Sequence, residues 1–321
     1  MSVLFEARSR FHSIPSLTVR ENALLSGYTR FGIGGPADLF CESSDQRAFT
    51  AALAAARESG LPHVVIGGGT NLVVSDEGFR GVVLRYTATD LHADGTAIAA
   101  AAGGELQAVV DFSIGLGLQG LETMTGIPGS LGAAIYGNAG AYGHSISERV
   151  ESVRFFDGSV VREIPNQACE FRYRESTFKR NKEWVILSAR LAMTPASEDE
   201  LRRTADEILQ IRNQKYPPTM RCAGSIFKNL ILAELPEGVA SRVPAKVIRE
   251  GKVPSAYFLE QVGAKGLRNG GIRVADYHAN LIYNEGFGTA RELRSVIEEL
   301  KTRVRDDYGL LLEEEVQYIG F

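Results

Sequence analysis

Val65-Ile-Gly-Gly-Gly-Thr-Asn-Leu72 places three successive glycines between two short apolar runs, His63–Ile66 and Leu72–Ser75. Successive glycines let backbone N–H groups converge on an anion, because no side chain intervenes. The runs on either side predict two strands joined by a tight turn, not a loop that opens a helix. A hairpin turn explains these residues as well as a phosphate site does.

A second glycine cluster favours a binding groove. Gly126-Ile-Pro-Gly129-Ser-Leu-Gly132 is followed by Gly137-Asn-Ala-Gly140-Ala-Tyr-Gly143, so small side chains and exposed amides recur as an extended dinucleotide would need. Two such clusters in one domain are rarely turns alone. Gly115–Gly120 and Gly32–Ala37 also fit dinucleotide-binding patterns, but the first follows a predicted helix and the second lacks a clear acidic ribose partner. We therefore reject a Rossmann domain.

Helix signals divide the remaining chain. Asp45 to Gly60 predicts a capped helix, and Ser197-Glu-Asp-Glu200 and Thr289-Ala-Arg-Glu292 both match the capping box. The second box precedes apolar positions at helical spacing up to Gly309, and Leu310 to Ile319 is predicted to be a strand. We expect a first domain over residues 1–195, with two subdomains allowed, and a second domain over residues 196–321 whose last strand can return to the first.

Composition narrows the functional classes. A chain of 321 residues suits two domains, and a net charge of -4 argues against a nucleic-acid-binding protein. Three scattered cysteines without a CxxC pair suit reduced thiols and give no support for a metal. Met1 to Ser16 is too polar for a signal peptide, and no apolar stretch is long enough to span a membrane. We expect a cytoplasmic protein that binds neither nucleic acid nor membranes.

A third segment, Ala223-Gly-Ser-Ile-Phe-Lys-Asn229, belongs with the two glycine clusters. Together these segments resemble the family of UDP-N-acetylenolpyruvoylglucosamine reductases, from about Thr29 to Gly320. The resemblance implies an α+β fold, with an FAD-binding domain of the vanillyl-alcohol-oxidase (PCMH) type and a smaller α/β substrate-binding domain. It also implies that the two glycine motifs hold FAD. The cofactor-binding positions are Gly67, Gly68, Gly69, Thr70, Asn71, Gly126, Ile127, Pro128, Gly129, Ser130, Gly132, Asn138 and Gly140.

The same resemblance implies three catalytic residues. Ser225 gives a proton to a substrate carbon, while Arg174 and Glu315 stabilise the enol-like intermediate. Without the resemblance, a serine such as Ser225 is more often a cap or turn residue. Arg174 is explained equally well as part of a solvated strand edge. The glutamates 313–315 are explained most simply as an exposed acidic strand end. Alternation along a strand would turn Glu314 away from the face of its two neighbours.

A competing enzyme class is an acyl-transfer enzyme. Ser225-Ile-Phe-Lys228 and Ser176-Thr-Phe-Lys179 both fit the S-x-x-K pattern of penicillin-binding proteins. The S-D-N and K-T-G partners of that pattern and a G-x-S-x-G elbow are absent from the sequence. Acyl transfer is therefore improbable.

The resemblance also implies substrate-binding positions, and some residues of this chain differ from the family pattern. The family pattern places Tyr173, Lys215, Asn229 and Gln261 at the substrate, with Lys215 near its diphosphate. Ala133, Tyr136 and Leu230 depart from the family's usual residues. The short Met193–Ser197 connection excludes the extra tyrosine loop of one branch of the family.

The predicted activity is the NADPH-dependent, FAD-mediated reduction of UDP-N-acetylglucosamine enolpyruvate to UDP-N-acetylmuramate in peptidoglycan synthesis. We expect a monomer that binds a UDP-sugar and NADPH. Two other classes stay open: an oxidase of the same fold, and a nucleotide-sugar binder without flavin.

Overall fold

A computed structural model describes residues 3–321 in two compact units. Met1 and Ser2, at the start of the segment judged too polar for a signal peptide, lie outside the described residues. The first unit comprises the chain up to Ala23, Ala37–Gly68 and Arg80–Gln214. The second comprises Leu24–Pro36, Gly69–Phe79 and Lys215–Phe321.

Both units mix helices and strands. The α-helices of residues 3–321 are α1 (Val3–His12), α2 (Gln46–Ser59), α3 (Leu106–Gly115), α4 (Leu131–Tyr136), α5 (Thr177–Arg180), α6 (Glu198–Lys215), α7 (Glu237–Ala240), α8 (Ser255–Gln261) and α9 (Ala290–Tyr308). Within this range no helix is both long and apolar enough to cross a bilayer.

The strands are short and numerous. They are β1 (Thr18–Leu24), β2 (Pro36–Ser43), β3 (His63–Ile66), β4 (Leu72–Val74), β5 (Phe79–Tyr86), β6 (Leu91–Asp94), β7 (Ala97–Ala101), β8 (Leu118–Gln119), β9 (Gly140–Ala141), β10 (His144–Ser145), β11 (Val150–Phe156), β12 (Val161–Pro165), β13 (Val185–Ala192), β14 (Thr194–Pro195), β15 (Arg221–Ser225), β16 (Leu230–Ile231), β17 (Lys252–Val253), β18 (Arg268–Asn269), β19 (Ile272–Ala275), β20 (His278–Asn284) and β21 (Gln317–Ile319).

The two largest sheets of the first unit have four and five strands. One has the order β1-β2-β5-β3, with β3 parallel to β5, and packs against α1 and α2 through buried Phe11, Phe49 and Leu53. The other is antiparallel, with the order β12-β11-β13-β7-β6, and its core includes side chains of α3, α4 and α6. The helix predicted after Asp45 is confirmed: the Asp45 side chain accepts from the backbone N–H of Ala48, and Gly60 ends α2 with φ +68°.

The second unit is built on an antiparallel sheet of order β15-β20-β19-β18. Its long helix α9 begins at the predicted capping box of Thr289 and Glu292 and ends at Gly309, so this prediction is confirmed. The periodic apolar positions of α9 are all fully buried: Leu293, Val296, Ile297, Leu300 and Val304. Strand β21 pairs in parallel with β4, which returns the end of the chain to the segment that follows the first glycine motif.

The compact units differ from the division predicted at residue 195: α6 lies in the first unit, whereas Leu24–Pro36 and Gly69–Phe79 lie in the second. Leu201 and Ala205 of this helix are buried in the same core as the antiparallel five-stranded sheet. Burial of this apolar face keeps α6 with the first unit, although its polar, charged start suggested a new domain.

Candidate functional site

The two glycine motifs of the first unit lie against each other. A Cβ added to Gly67 would stand 2.7 Å from the Ser130 hydroxyl oxygen, and one added to Gly68 would stand 3.2 Å from the Gly129 Cα. Real Cβ atoms almost never approach as closely as the first distance, and the second is a tight contact, so side chains at these positions would require the neighbouring residues to shift. The segments predicted to form one groove are therefore adjacent, with backbone on both walls.

Hydrogen bonds anchor the second motif to α3 and to the strand before it. Gln107, on α3, accepts from the Gly126 amide through Oε1 at 2.7 Å. The Gly129 carbonyl accepts from the Leu106 amide at 2.9 Å, and Ser130 caps α4. No sequence pattern indicated a role for Gln107, because its partner lies nineteen positions away.

The residues of this groove fit a dinucleotide such as FAD. Thr123 and Thr125, in the segment that leads into the second motif, have buried hydroxyl oxygens without a hydrogen-bond partner among residues 3–321. Buried hydroxyls are normally paired, so such groups mark a place where polar ligand atoms are accommodated. Backbone walls and small residues give the close approach that a pyrophosphate needs.

The two departures near this groove are accommodated locally. The Ala133 methyl group lies beside Gly67, 3.4 Å from where a Cβ would be, so the absence of a side chain at Gly67 leaves room for it. Tyr136 accepts a hydrogen bond from the Ser176 hydroxyl through its backbone carbonyl, at 2.7 Å. Burial, with a smaller effect of Glu175, raises the pKa of the Tyr136 phenol.

Arg174 is held by the segment that follows the second motif. Its guanidinium donates to the carbonyl oxygen of Gly140 at 3.0 Å and to that of Asn138 at 3.4 Å. The residue has φ +58°, which non-glycine residues rarely adopt, and its carbonyl accepts from Lys179 Nζ. Its guanidinium also lies 5.3 Å from the ring centre of Tyr173. The structure thus brings together four predicted site residues: Asn138, Gly140, Tyr173 and Arg174.

The S-x-x-K pattern at Ser176 has a structural role. The Ser176 side chain is fully buried and caps α5 by accepting from the Lys179 amide. Lys179 forms an ion pair with Glu175 at 2.9 Å. A fully buried hydroxyl that is already committed to two backbone groups cannot reach a substrate carbonyl, so this serine is not an acyl-transfer nucleophile.

In the second unit, Ser225 ends strand β15 after a left-handed turn at Gly224, which has φ +77°. The next two residues, Ile226 and Phe227, donate their amides to Oδ1 of Asn280, at 3.1 and 2.9 Å. Asn280 is 2% exposed, and its Nδ2 returns hydrogen bonds to the Phe227 carbonyl and to Ser255 Oγ. A buried amide therefore fixes the backbone directly after the predicted proton donor.

The three glutamates run alongside this segment. The Glu315 amide donates to the Ile226 carbonyl at 2.7 Å, which places Ser225 and Glu315 on neighbouring backbone segments. Lys228, three residues after Ser225, is buried and ion-paired with Glu313. Glu314 instead bonds Lys301 of α9 at 2.8 Å, so the two glutamates pair with different lysines.

The strand predicted over Leu310 to Ile319 is wrong for its first seven residues. Only Gln317–Ile319 forms a regular strand, and Glu314 makes an isolated bridge with Phe227. Glu313 pairs with Lys228, in the segment after β15, and Glu314 pairs with Lys301 of α9.

Lys215 lies beside a group of side chains that the sequence reasoning missed. Tyr216 approaches Ser225 with its hydroxyl oxygen 3.2 Å from Ser225 Oγ, and Lys215 Nζ is 5.0 Å from the Tyr216 ring centre. Tyr277 donates to the Lys215 carbonyl at 2.9 Å. Burial, followed by the positive charge of Lys215, lowers the pKa of His278 to about 4.

The other predicted positions of the second unit are less closely tied to Ser225. Gln261 is exposed at the end of α8, and Asn229 is half-buried just before β16. Leu230, which differs from the family's usual residue, pairs with Val253 in a two-stranded ladder. From the first glycine motif, Asn71 donates through Nδ2 to the Glu315 carbonyl at 2.7 Å.

Comparisons with known proteins agree with this arrangement. Residues 37–162 match the family model described as FAD binding domain, and residues 216–319 match the one described as UDP-N-acetylenolpyruvoylglucosamine reductase, C-terminal domain. The predicted α+β architecture, with an FAD-binding domain of the PCMH type and a second domain, is confirmed.

Whole-length relatives carry the same name. The UDP-N-acetylenolpyruvoylglucosamine reductase of Solibacter usitatus is 63% identical over 97% of this chain and all of its own length. That of Rubrobacter xylanophilus is 36% identical, covering 92% of this chain and 93% of the relative. The crystal structure of the Thermus caldophilus reductase superposes with a TM-score of 0.74 at 27% identity, covering 94% of this chain and 99% of the other. The chain therefore belongs to the family of UDP-N-acetylenolpyruvoylglucosamine reductases, which are flavin oxidoreductases of peptidoglycan precursor synthesis that use FAD and NADPH.

Proposed function

We propose that Ser225 is the proton donor of this reductase and that Arg174 and Glu315 stabilise the negative charge that precedes proton transfer. The observation that carries the proposal is the 2.7 Å hydrogen bond from the Glu315 amide to the Ile226 carbonyl, which keeps the serine and the carboxylate on neighbouring segments. The buried Asn280 then fixes the serine turn. Preorganised groups of this kind need no rearrangement during reaction.

Arg174 suits charge stabilisation because a guanidinium keeps its charge at all working pH values and can hold a carboxylate with two parallel N–H groups. Two backbone carbonyls, those of Asn138 and Gly140, already orient it. Its left-handed backbone, φ +58°, is a strained conformation of the kind that persists where the surroundings fix it. We assign it to the enolate carboxylate of the substrate.

The cofactor-binding set is proposed from the adjacent glycine motifs. Gly67, Gly68, Gly129 and Ser130 form the close backbone walls, and Thr70, Asn71 and Asn138 supply polar side chains. When bound, FAD carries the reducing equivalents of NADPH to the enolpyruvyl double bond. The protein's own residues orient the substrate, exclude competing proton donors and deliver the proton from Ser225 Oγ.

The substrate-binding set is Tyr173, Lys215, Asn229 and Gln261. Lys215 is the residue suited to a diphosphate, because its ammonium is a compact point charge. It is also tethered at its backbone carbonyl by the Tyr277 hydroxyl.

We further propose that the chain belongs to the branch without the extra tyrosine loop. Only Met193 separates β13 from β14, and α6 begins three residues after β14 ends, which leaves no space for an inserted loop. We also propose that this protein is a cytoplasmic monomer. Sedimentation of the purified protein with FAD bound tests the monomer.

The two half-reactions test the catalytic assignment. Ser225→Ala should bind FAD and accept electrons from NADPH normally, while reoxidation of the flavin by the enolpyruvyl sugar nucleotide slows roughly 10²- to 10⁴-fold, the usual scale for a lost general acid. Rapid mixing with absorbance at the flavin band measures each step. Loss of reduction by NADPH with intact reoxidation would show that Ser225 has a different role.

A further inference from the structure

We propose that Tyr216 is a positioning residue for Ser225, whose phenol hydroxyl holds the serine hydroxyl and supports the serine oxygen as it loses its proton. The inference deepens the proposed function, because it rests on Ser225 being the proton donor. It explains how a serine hydroxyl, ordinarily a poor acid, can do this work.

The contact that carries the inference is the 3.2 Å approach of the Tyr216 hydroxyl oxygen to Ser225 Oγ. Either oxygen can be the donor, so the direction of this hydrogen bond can reverse as the charge on the serine changes. Tyr216 precedes Pro217, which restricts the tyrosine backbone to extended conformations. Its ring also packs on a small buried cluster formed by Cys222, Ala275 and Leu281. The phenol is therefore held in place from both its backbone and its ring.

Charges around the pair favour negative charge on its oxygens. The Lys215 ammonium stands 5.0 Å from the Tyr216 ring centre. The ring centre of His278 is 6.3 Å from that of Tyr216, and this imidazole accepts a hydrogen bond from the Asn280 amide at Nδ1. Its lowered pKa, about 4, keeps it neutral at neutral pH. Lys215 is therefore the positive charge next to the phenol, and it would stabilise a developing serine alkoxide.

Proton transfer starts at the Ser225 hydroxyl. The Ser225 O–H bond breaks, its electrons stay on the serine oxygen, and the proton forms a C–H bond at the substrate carbon that carries the negative charge. Tyr216 then donates to the alkoxide, in a hydrogen bond strengthened by the charge. A general acid of the solvent returns a proton to the serine and leaves as its conjugate base.

The test is Tyr216→Phe, measured in the two half-reactions with the flavin-loaded enzyme. Reduction by NADPH should stay within about 2-fold of wild type, and reoxidation by the enolpyruvyl sugar nucleotide should slow about 10- to 100-fold, the scale of a hydrogen bond to a charged group. The KM for the sugar nucleotide should change little, because the interaction strengthens only as charge develops. Tyr283→Phe is the matched control, since Tyr283 packs on the same cluster, and it should react like wild type.

A double-mutant cycle separates positioning from a merely structural effect. A thiol, with an ordinary pKa near 8.5, needs less support as an acid than a serine hydroxyl does. In a Ser225→Cys background, Tyr216→Phe should therefore slow reoxidation less than about 3-fold. Equal slowing in both backgrounds would overturn the proposal. Where the cysteine enzyme is too slow to follow, the solvent deuterium isotope effect on reoxidation decides: it should rise in Tyr216→Phe, and an unchanged value would overturn the proposal.

The two levels of inference fail differently. If Ser225→Ala reoxidises at the wild-type rate, the acid assignment in the proposed function is wrong. If Ser225→Ala is slow but Tyr216→Phe reoxidises as wild type, the serine assignment stands and the role of Tyr216 is overturned.

Discussion

Asn71 donates a hydrogen bond from Nδ2 to the backbone carbonyl of Glu315, at 2.7 Å, across 244 positions of sequence. The Gln317 amide donates in return to the Asn71 carbonyl at 2.9 Å, at the start of the parallel pairing between β4 and β21. An asparagine of the first glycine motif therefore holds the segment just before β21, which carries the proposed catalytic glutamate. Its sequence position suggested a cofactor contact only.

Replacing Asn71 with aspartate tests this relationship. Asn71→Asp keeps the size of the side chain but removes the donor and turns a carboxylate oxygen toward the Glu315 carbonyl. We expect a loss of about 1–3 kcal/mol in the free energy of unfolding, since the Glu315 carbonyl exchanges its shorter hydrogen bond for a facing carboxylate oxygen and keeps the longer one from Gln317 Nε2, at 3.3 Å. Amide exchange at Gln317 should accelerate, and flavin reoxidation by substrate should slow more than flavin reduction by NADPH.

Urea unfolding and residue-resolved hydrogen exchange provide the measurements. Asn269→Asp, in the short strand β18, is the control and should leave both unchanged. Unaltered exchange at Gln317 in Asn71→Asp would mean that β21 is held without this hydrogen bond.

Asn280 gives a second prediction, about stability. Its amide makes four hydrogen bonds in a site with 2% exposure, two of them to the amides of Ile226 and Phe227. Asn280→Leu removes the hydrogen-bond partner of several buried polar groups at once, so the free energy of unfolding should fall by about 3–5 kcal/mol. Asn280→Asp keeps the two accepted bonds and should lose less.

Denaturant titration of the three proteins would establish this order. Equal stability of the leucine variant and wild type would show that the turn after Ser225 does not depend on Asn280.

Local signals were readable in the sequence, and long-range partners were not. The caps at Asp45, Gly60, Thr289 and Gly309 use contacts within three or four positions, so residue type and spacing predicted them correctly. Asn280, by contrast, lies more than fifty positions from the amides it binds. Nothing in a single sequence indicates which distant backbone a buried asparagine satisfies.

The candidate site shows the same limit. Family motifs pointed to Ser225, Arg174 and Glu315, whereas Tyr216 and His278 belong to no motif and become visible only when β15 and β20 pair. The sequence predicts a strand over Leu310 to Ile319, but residues 310–316 are not part of it. Glu313 pairs instead with Lys228 and Glu314 with Lys301, contacts that only the tertiary structure brings together.

His278 predicts how stability changes with pH. Its pKa is about 4 in the folded protein, because of burial first and Lys215 second, against 6.5 for a solvated imidazole. Below pH 6.5 the unfolded chain binds a proton that the folded one does not, so stability falls as the pH drops from about 6.5 to 4. The loss should reach about 3 kcal/mol at pH 4.

Urea unfolding between pH 4 and pH 7.5 measures this dependence. In His278→Asn the slope over this window should decrease by about one bound proton. His92→Asn, at an exposed position of β6, is the control and should keep the wild-type slope. An unchanged slope in His278→Asn would assign the acid sensitivity to another group.

Gly60 and Gly69 have nearly the same backbone conformation but different surroundings. Replacing each with alanine therefore distinguishes the cost of backbone strain from the cost of a steric clash. Gly60 and Gly69 have φ +68° and +67°, so an alanine at either position is strained. A Cβ at Gly60 would meet nothing within 4 Å, whereas one at Gly69 would stand 1.7 Å from the backbone oxygen of Tyr28. Gly60→Ala should therefore cost about 1 kcal/mol, the cost of the left-handed conformation alone.

Gly69→Ala should cost more than about 3 kcal/mol or prevent folding, because backbone must move to admit the methyl group. Thermal unfolding and flavin content of the two purified proteins give the comparison. If Gly69→Ala were as stable as Gly60→Ala but lost its FAD, the third glycine of the motif would serve the cofactor, not the approach of Tyr28. The expected result, unfolding of Gly69→Ala with or without added FAD, would mean that the glycine run serves the protein's own packing at its third position.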